Sequence, residues 1–325
     1  MKYIKSGIIL LATALITIQL NAQLAAVEML SVTFKPNDSG KSYIKDNRIF
    51  KEGWNKLPQV NFWKKVVTLP PDSGYLNIHS SRIIDRSISV RRWESLSTLQ
   101  KDALRDSVRL KNGLGPEEKV VFTVGKSDFY DFSHALEIIA EAYPIFEEAG
   151  VPAFYAQSIL LIECPGTLKR SSAGAAGHFQ LMPGVARSMG LSVTKYTDER
   201  KDFTKCAGAA AKFIQKVCIP GAEKLLNDRN IGYAKDELWF KMLVLHVYHA
   251  GAGNVGAALD VLPQKPARGS LHLITTLWQT KAASFGNASQ NYSQIALANT
   301  ILLYEMLDAK CENMKASPYV YSSLN

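Results

Sequence analysis

Glu163 is the residue whose setting most invites chemistry. It closes the run Ile159-Leu160-Leu161-Ile162 in a segment over 152–163 that opens on Pro152, a favoured first-turn residue, and the apolar spacing predicts a helix. A carboxyl at the C-terminal end of an apolar helix is desolvated and faces the negative end of the macrodipole. Both effects favour the protonated form. A carboxyl with a raised pKa can serve as a general acid near neutral pH, for example on a glycosidic oxygen. No other Asp or Glu occurs between Glu163 and Asp198, so chemistry at this point runs on one acid. Ordinary glycosidases use two carboxylates about 5 to 9 Å apart, whereas substrate-assisted ones recruit the sugar's own acetamido group as nucleophile.

Other residues compete for a role. Gly251-Ala252-Gly253-Asn254-Val255-Gly256 satisfies G-x-G-x-x-G, but no Asp or Glu lies between Asp260 and Glu305 to hold a ribose. No βαβ pattern surrounds the glycines either, so a dinucleotide site is set aside and a helix-turn-helix link is expected. His246 and His249 are spaced to share a helix face, yet no third metal ligand stands at suitable spacing, and core or cleft histidines are the better reading. Cys164 beside Glu163, with His178 or His249 as base, could make a thiol nucleophile; a disulfide or a buried thiol is preferred for an exported chain. Trp239, Phe240, Trp278 and Phe285 fall at helical spacing and read mostly as core.

Three ordered blocks remain: Glu163-Cys164; Ser171-Ser172-Ala173-Gly174-Ala175-Ala176-Gly177-His178-Phe179-Gln180-Leu181-Met182-Pro183; and Tyr248-His249-Ala250-Gly251-Ala252-Gly253-Asn254-Val255. Together they resemble the SLT (soluble lytic transglycosylase) domain, related in fold to goose-type lysozyme. That family's pattern is Glu-Ser, then Ser-x-x-Gly-Ala-x-Gly-Leu-Met-Gln-x-x-Pro, then Ala-Tyr-Asn-Ala-Gly-x-Gly-x-Val. The link Asp198-Glu199-Arg200-Lys201-Asp202, the stretch 207–213 and Asn291-Tyr292 are similar to the membrane-bound lytic murein transglycosylase D subgroup. The resemblance covers about residues 135–310 and implies cleavage of the MurNAc-β-1,4-GlcNAc bond of peptidoglycan with formation of a 1,6-anhydro end, without metal or cofactor. It implies Glu163 as sole acid/base, Gln180 as a substrate-binding amide, Ser171 as a hydroxyl near the muramic acetamido group, and Tyr248 as a cleft residue that orients Glu163. Gly177, Phe179, His249 and Tyr292 complete the implied substrate-binding set. The chain departs from the pattern at Cys164 for serine, at Gly166 for an aromatic, at His178-Phe179 for Leu-Met, and at His249 for asparagine. The last exchange replaces an amide with a ring that can donate once and accept once. A hydrolytic muramidase, or a wall-binding protein that kept the cleft without turnover, are the alternatives.

The elements that must position these residues are mostly helical. Spacing of 3.6 predicts helices over 132–149, 152–163, 179–189, 203–217, 236–250, 254–262, 271–283 and 292–309, with a polar loop over 164–174. Residues 131–312 therefore read as a mainly α, lysozyme-like helical domain, followed by a tail over 313–325. Residues 23–130 read as an irregular N-terminal accessory region of unknown role, with one helix over 90–110.

Residues 1–22 read as a signal peptide: a basic start, a mostly apolar run of 13 residues from Ile8 to Leu20, and a cut after Ala22. Export to the periplasm or cell envelope is expected, with no membrane span in the mature chain. Of the 325 residues 47% are hydrophobic and 21% charged, which excludes a disordered or collagenous chain. Lys+Arg 38 against Asp+Glu 29 gives +9, or +7 once Lys2 and Lys5 are removed. In an exported protein a basic balance suits an anionic wall polymer better than nucleic acid. Cys164, Cys206, Cys218 and Cys311 allow three disulfide pairings, all within the C-terminal half.

Overall fold

The computed structural model describes residues 27–32, 41–130, 132–163 and 171–315; the signal peptide expected over 1–22 lies outside them. The helices are α1 (Arg48–Lys51), α2 (Pro58–Thr68), α3 (Val90–Glu94), α4 (Thr98–Lys111), α5 (Phe132–Glu148), α6 (Ala153–Glu163), α7 (Pro183–Ser188), α8 (Phe203–Phe213), α9 (Ile219–Asn227), α10 (Leu238–Ala250), α11 (Ala252–Asp260), α12 (Leu271–Leu277) and α13 (Asn287–Lys315). The strands β1 (Val27–Val32) and β2 (Lys41–Asp46) pair antiparallel, and β3 (Ser73–Ile78), β4 (Ile84–Ser89) and β5 (Val120–Val124) form an antiparallel sheet of order β4-β3-β5. The chain is mainly α.

Two helices are apolar on every side and are accordingly buried. Every residue of α6 from Ala153 to Ile162 is buried, and so is every residue of α10 from Leu238 to Val247. The other elements pack around them: α5 and α13 against α6, and α13 also against α10 and α2. Gln157, the one amide in α6, is satisfied by strand-like pairing with β2. Its Oε1 accepts from Ile44 N at 3.1 Å and its Nε2 donates to Ile44 O at 2.9 Å. A buried amide needs both partners.

Residues 41–68, expected to be irregular, share this core: Tyr43, Ile49, Trp54, Val60, Phe62, Trp63 and Val66 are buried in one cluster with the C-terminal helices. Pro58 sits at the first turn of α2, where proline starts a helix rather than breaking one. Residues 73–124 have a separate, smaller core of Leu76, Ile78, Val108 and Val120, covered by α4. The single helix expected over 90–110 is two, because Ser97 caps α4 in a capping box with Gln100 and so ends the segment before it. Arg82 fastens this lobe to the rest, its guanidinium donating to Asn291 Oδ1 at 2.8 Å and lying over the Phe62 ring.

The helix expected over 292–309 is longer at both ends, running over 287–315 as α13, and three other expected helix bounds shift. The helix expected from 179 starts at Pro183, because Gly177 and Gln180 both adopt positive φ, 80° and 45°, and Ala176 and Leu181 close a tight loop. The one expected over 271–283 ends at Leu277. The helix expected to end near 217 passes through a π turn, Ile214–Cys218, into α9, with Pro220 in its first turn. α9 was hidden in the sequence by Pro220-Gly221. The glycines at 251–253 do form a helix-turn-helix link, with Gly251 at φ 79° between α10 and α11.

Candidate active site

Glu163 ends α6 and opens into a cleft of about 300 Å³ whose lining also includes Ser171, Gln180, Met182, Val185, Phe213, Tyr248 and His249. It is the only carboxyl among the described lining residues. Burial pushes its pKa up to about 7, and an interaction with the Tyr292 hydroxyl opposes part of that rise. The pair lies outside ordinary hydrogen-bond geometry, and among the described residues the buried Tyr292 hydroxyl has no other partner. An acid poised near neutrality can give a proton in one step and take one back in the next.

One wall is helical. Tyr248 and His249 come from the end of α10, and Tyr292 from α13 lies behind them, its ring 4.5 Å from that of His249. Burial, and next the Glu163 charge, raise the pKa of both Tyr248 and Tyr292 well above the ordinary phenol value, so both stay protonated. Burial lowers that of His249, which leaves a neutral ring. The Tyr248 hydroxyl donates to Phe179 O at 2.5 Å, not to Glu163. Of these two phenols, it is Tyr292 whose hydroxyl lowers the acid's pKa.

The other wall is a loop. The Ser171 hydroxyl accepts from Ala175 N at 2.9 Å and lines the cleft. Gln180 turns its Nε2 back onto Gly177 O at 2.9 Å. A glutamine at φ 45° is a strained backbone position, of the kind that collects at functional sites. The loop is held from below by Arg200, which is 1% exposed. Its guanidinium is bidentate to Asp198, at 2.8 and 2.7 Å, and donates to Gly174 O at 2.9 Å and Leu181 O at 2.8 Å. A Cβ at Gly177 would lie 2.1 Å from Arg200 O, so glycine is required for the loop to close on its clamp.

Of the residues singled out in the sequence, Glu163, Ser171, Gln180, Tyr248 and His249 share the cleft. Gly177 and Phe179 do not line it: both are buried beneath the loop, with Phe179 stacked on Phe146 at 5.5 Å. His246 belongs to the core, its Nε2 2.8 Å from Ser293 Oγ, and burial takes its pKa down to about 3. Trp239, Phe240, Trp278 and Phe285 are likewise buried. Cys206 and Cys218 are buried free thiols, while the side chains of Cys164 and Cys311 lie outside the described residues.

Sequence reasoning missed Tyr130 and Met182. Tyr130 interacts with the Glu163 charge and with Asn299, and burial raises its pKa. Asn299 in turn donates to Leu161 O at 2.7 Å, in the last turn of α6. Met182 is 42% exposed at the cleft; an exposed thioether beside a polar loop is the signal that could have found it.

No family model matches the sequence, and no curated protein matches it. Among solved structures the chain is similar to the X-ray structure of an inactive mutant of the lytic transglycosylase Slt from Pseudomonas aeruginosa, at a TM-score of 0.35 and 17% identity, over 53% of this chain and 24% of that one.

Proposed function

We propose that this chain is a peptidoglycan lytic transglycosylase of the cell envelope, built on a lysozyme-like helical domain and acting on the MurNAc-β-1,4-GlcNAc bond. The observation that carries the reading is a single carboxyl, Glu163, alone in its cleft and held near pKa 7 by burial. One acid suffices when the substrate brings its own nucleophile. Glu163 gives its proton to the bridging oxygen as the C1–O bond breaks, and the acetamido carbonyl of the muramic residue closes on C1. The Glu163 carboxylate then takes the proton of the 6-hydroxyl, whose oxygen attacks C1 and releases the acetamido group. The product is a 1,6-anhydro sugar, and Glu163 ends protonated as it began.

The remaining lining residues have matching roles. Ser171 offers a hydroxyl proton and Gln180 an amide toward the acetamido group. His249 and Tyr248 shape the opposite side, and Tyr292 steadies the acid from behind. The test is a digest of purified sacculi with the products weighed. Fragments lighter by one water than the hydrolytic ones are expected, and Glu163→Gln is expected to abolish them while sacculus binding persists. Reducing ends would make the enzyme a muramidase. Cleavage that survives Glu163→Gln would remove Glu163 from the mechanism.

A further inference from the structure

The lobe formed by residues 73–124 carries a second cavity, of about 690 Å³, which shares no lining residue with the Glu163 cleft. It runs between β4 and α4. Its floor is Ile88 and Leu104, and Arg86, Ser87, Arg92 and Gln100 stand around them. Three features of this groove point the same way.

β4 is an edge strand. It pairs with β3 on one side, from Ser73↔Ser89 to Asn77↔Ile84, and has no strand on the other among the described residues. A strand edge offers amide donors and carbonyl acceptors that another peptide can pair with. The groove is also basic. Arg86 and Arg92 line it and no Asp or Glu does; Asp85, next to Arg86, is held by Arg86 and Lys111, and Asp102 and Asp106 by Arg105 and Arg109. Arg92 has no ion pair among the described residues and stands at the groove exposed, and guanidinium groups are suited to carboxylates. Lastly, apolar side chains, Ile88, Leu96 and Leu104, lie between the strand edge and α4, where the side chains of a paired peptide would rest.

We propose that this groove is a binding site for a short anionic peptide, and that its occupant is the stem peptide of the polymer whose glycan enters the Glu163 cleft. Naming that occupant rests on the peptidoglycan reading; the chemistry of the groove does not. A peptide supplies amides for the β4 edge and free carboxylates for Arg92. A glycan stripped of its peptides supplies no amide for a strand edge, only the lactyl carboxylate of each muramic residue.

The experiment uses the full chain and stem peptides freed from their glycan by an amidase, with binding followed by calorimetry. Saturable binding is expected, weakened at least about tenfold by Arg92→Glu. Ala103→Trp, which plugs the groove from an exposed position on α4, is expected to weaken it as much. The same peptides with their carboxyls amidated should bind as weakly to the parent as the native ones do to Arg92→Glu. Both variants should cleave peptide-free glycan strands like the parent and lose efficiency on intact sacculi through KM. The proposal is overturned if the parent does not bind the peptides, if the variants bind them equally well, or if either substitution dissociates a dimer in sedimentation, which would make a second copy the occupant. Peptide-free strands separate the two readings: their cleavage without peptide binding sinks only the groove, and peptide binding without their cleavage sinks only the enzyme.

Discussion

The two walls of the Glu163 cleft are built on opposite principles. The helical wall places Glu163, Tyr248 and Tyr292 at or near the ends of long, buried helices whose positions are fixed by the main core. The loop wall places Ser171 and Gln180 on a short segment with three residues at positive φ, Gly174, Gly177 and Gln180, and relies on one buried guanidinium to hold it. The acid therefore draws its pKa from packing that no single contact controls, whereas the cleft-lining amide and hydroxyl depend on a few replaceable hydrogen bonds. On the proposed function, the contrast assigns tuning of the proton to the helices and positioning of the sugar to the loop.

The largest expected effect tests the helical wall: Glu163→Gln should lower turnover of sacculi by more than about a thousandfold without loss of fold. Arg200→Ala should strike the loop wall hardest, removing both side-chain bonds to Asp198 and the guanidinium donors to Gly174 O and Leu181 O, and costing about 3 kcal/mol in urea unfolding. Arg200→Lys should recover little of this, because an ammonium cannot span four acceptors set for a planar fork. If Arg200→Ala instead moves the pKa of Glu163 and spares KM, the division of labour between the walls is wrong.

The burial that tunes Glu163 should be visible in stability. Its folded pKa of about 7 exceeds the ordinary 4.5. Between those values the folded chain keeps a proton that the unfolded chain has released, so stability falls as pH rises through the window. Glu163→Gln removes the penalty and should be more stable than the parent by about 2 to 3 kcal/mol at pH 8. Denaturant midpoints should converge below pH 4.

Gly177→Ala should cost about 2 kcal/mol and act on KM more than on the pH profile, since the new Cβ meets Arg200 O and displaces the loop. Tyr292→Phe is the mildest change. Removing the one interaction that lowers the acid's pKa should shift the basic limb of the pH–rate profile upward by about half a unit, with a severalfold loss of rate.

What the sequence made legible follows the same division. Glu163 could be read from an apolar run ending in an acid, because helix polarity and desolvation are local properties of the chain. Ser171, Gln180, Tyr248 and His249 came with the motif, and all four reach the cleft. Gly177 and Phe179 came with it too but support the loop from beneath, since a motif records which residues a site needs without recording which of them face it. Arg200 was noticed as a match and its burial was not, because only the fold brings Gly174 and Leu181 against one side chain. α2 was illegible for a related reason: its apolar face is complete only against α13, more than two hundred residues away in sequence. Tyr130 was missed because nothing local to it signals a carboxyl 33 positions later.

The pairing of Gln157 with Ile44 has a practical consequence for anyone cutting this chain. A fragment begun at residue 131 would strip Tyr43, Trp54, Phe62 and Trp63 from the helices they cover, bare the flank of Trp278, and leave an amide in the middle of α6 facing water or nothing. The shortest piece expected to stay soluble and keep its acid in place starts no later than Lys41.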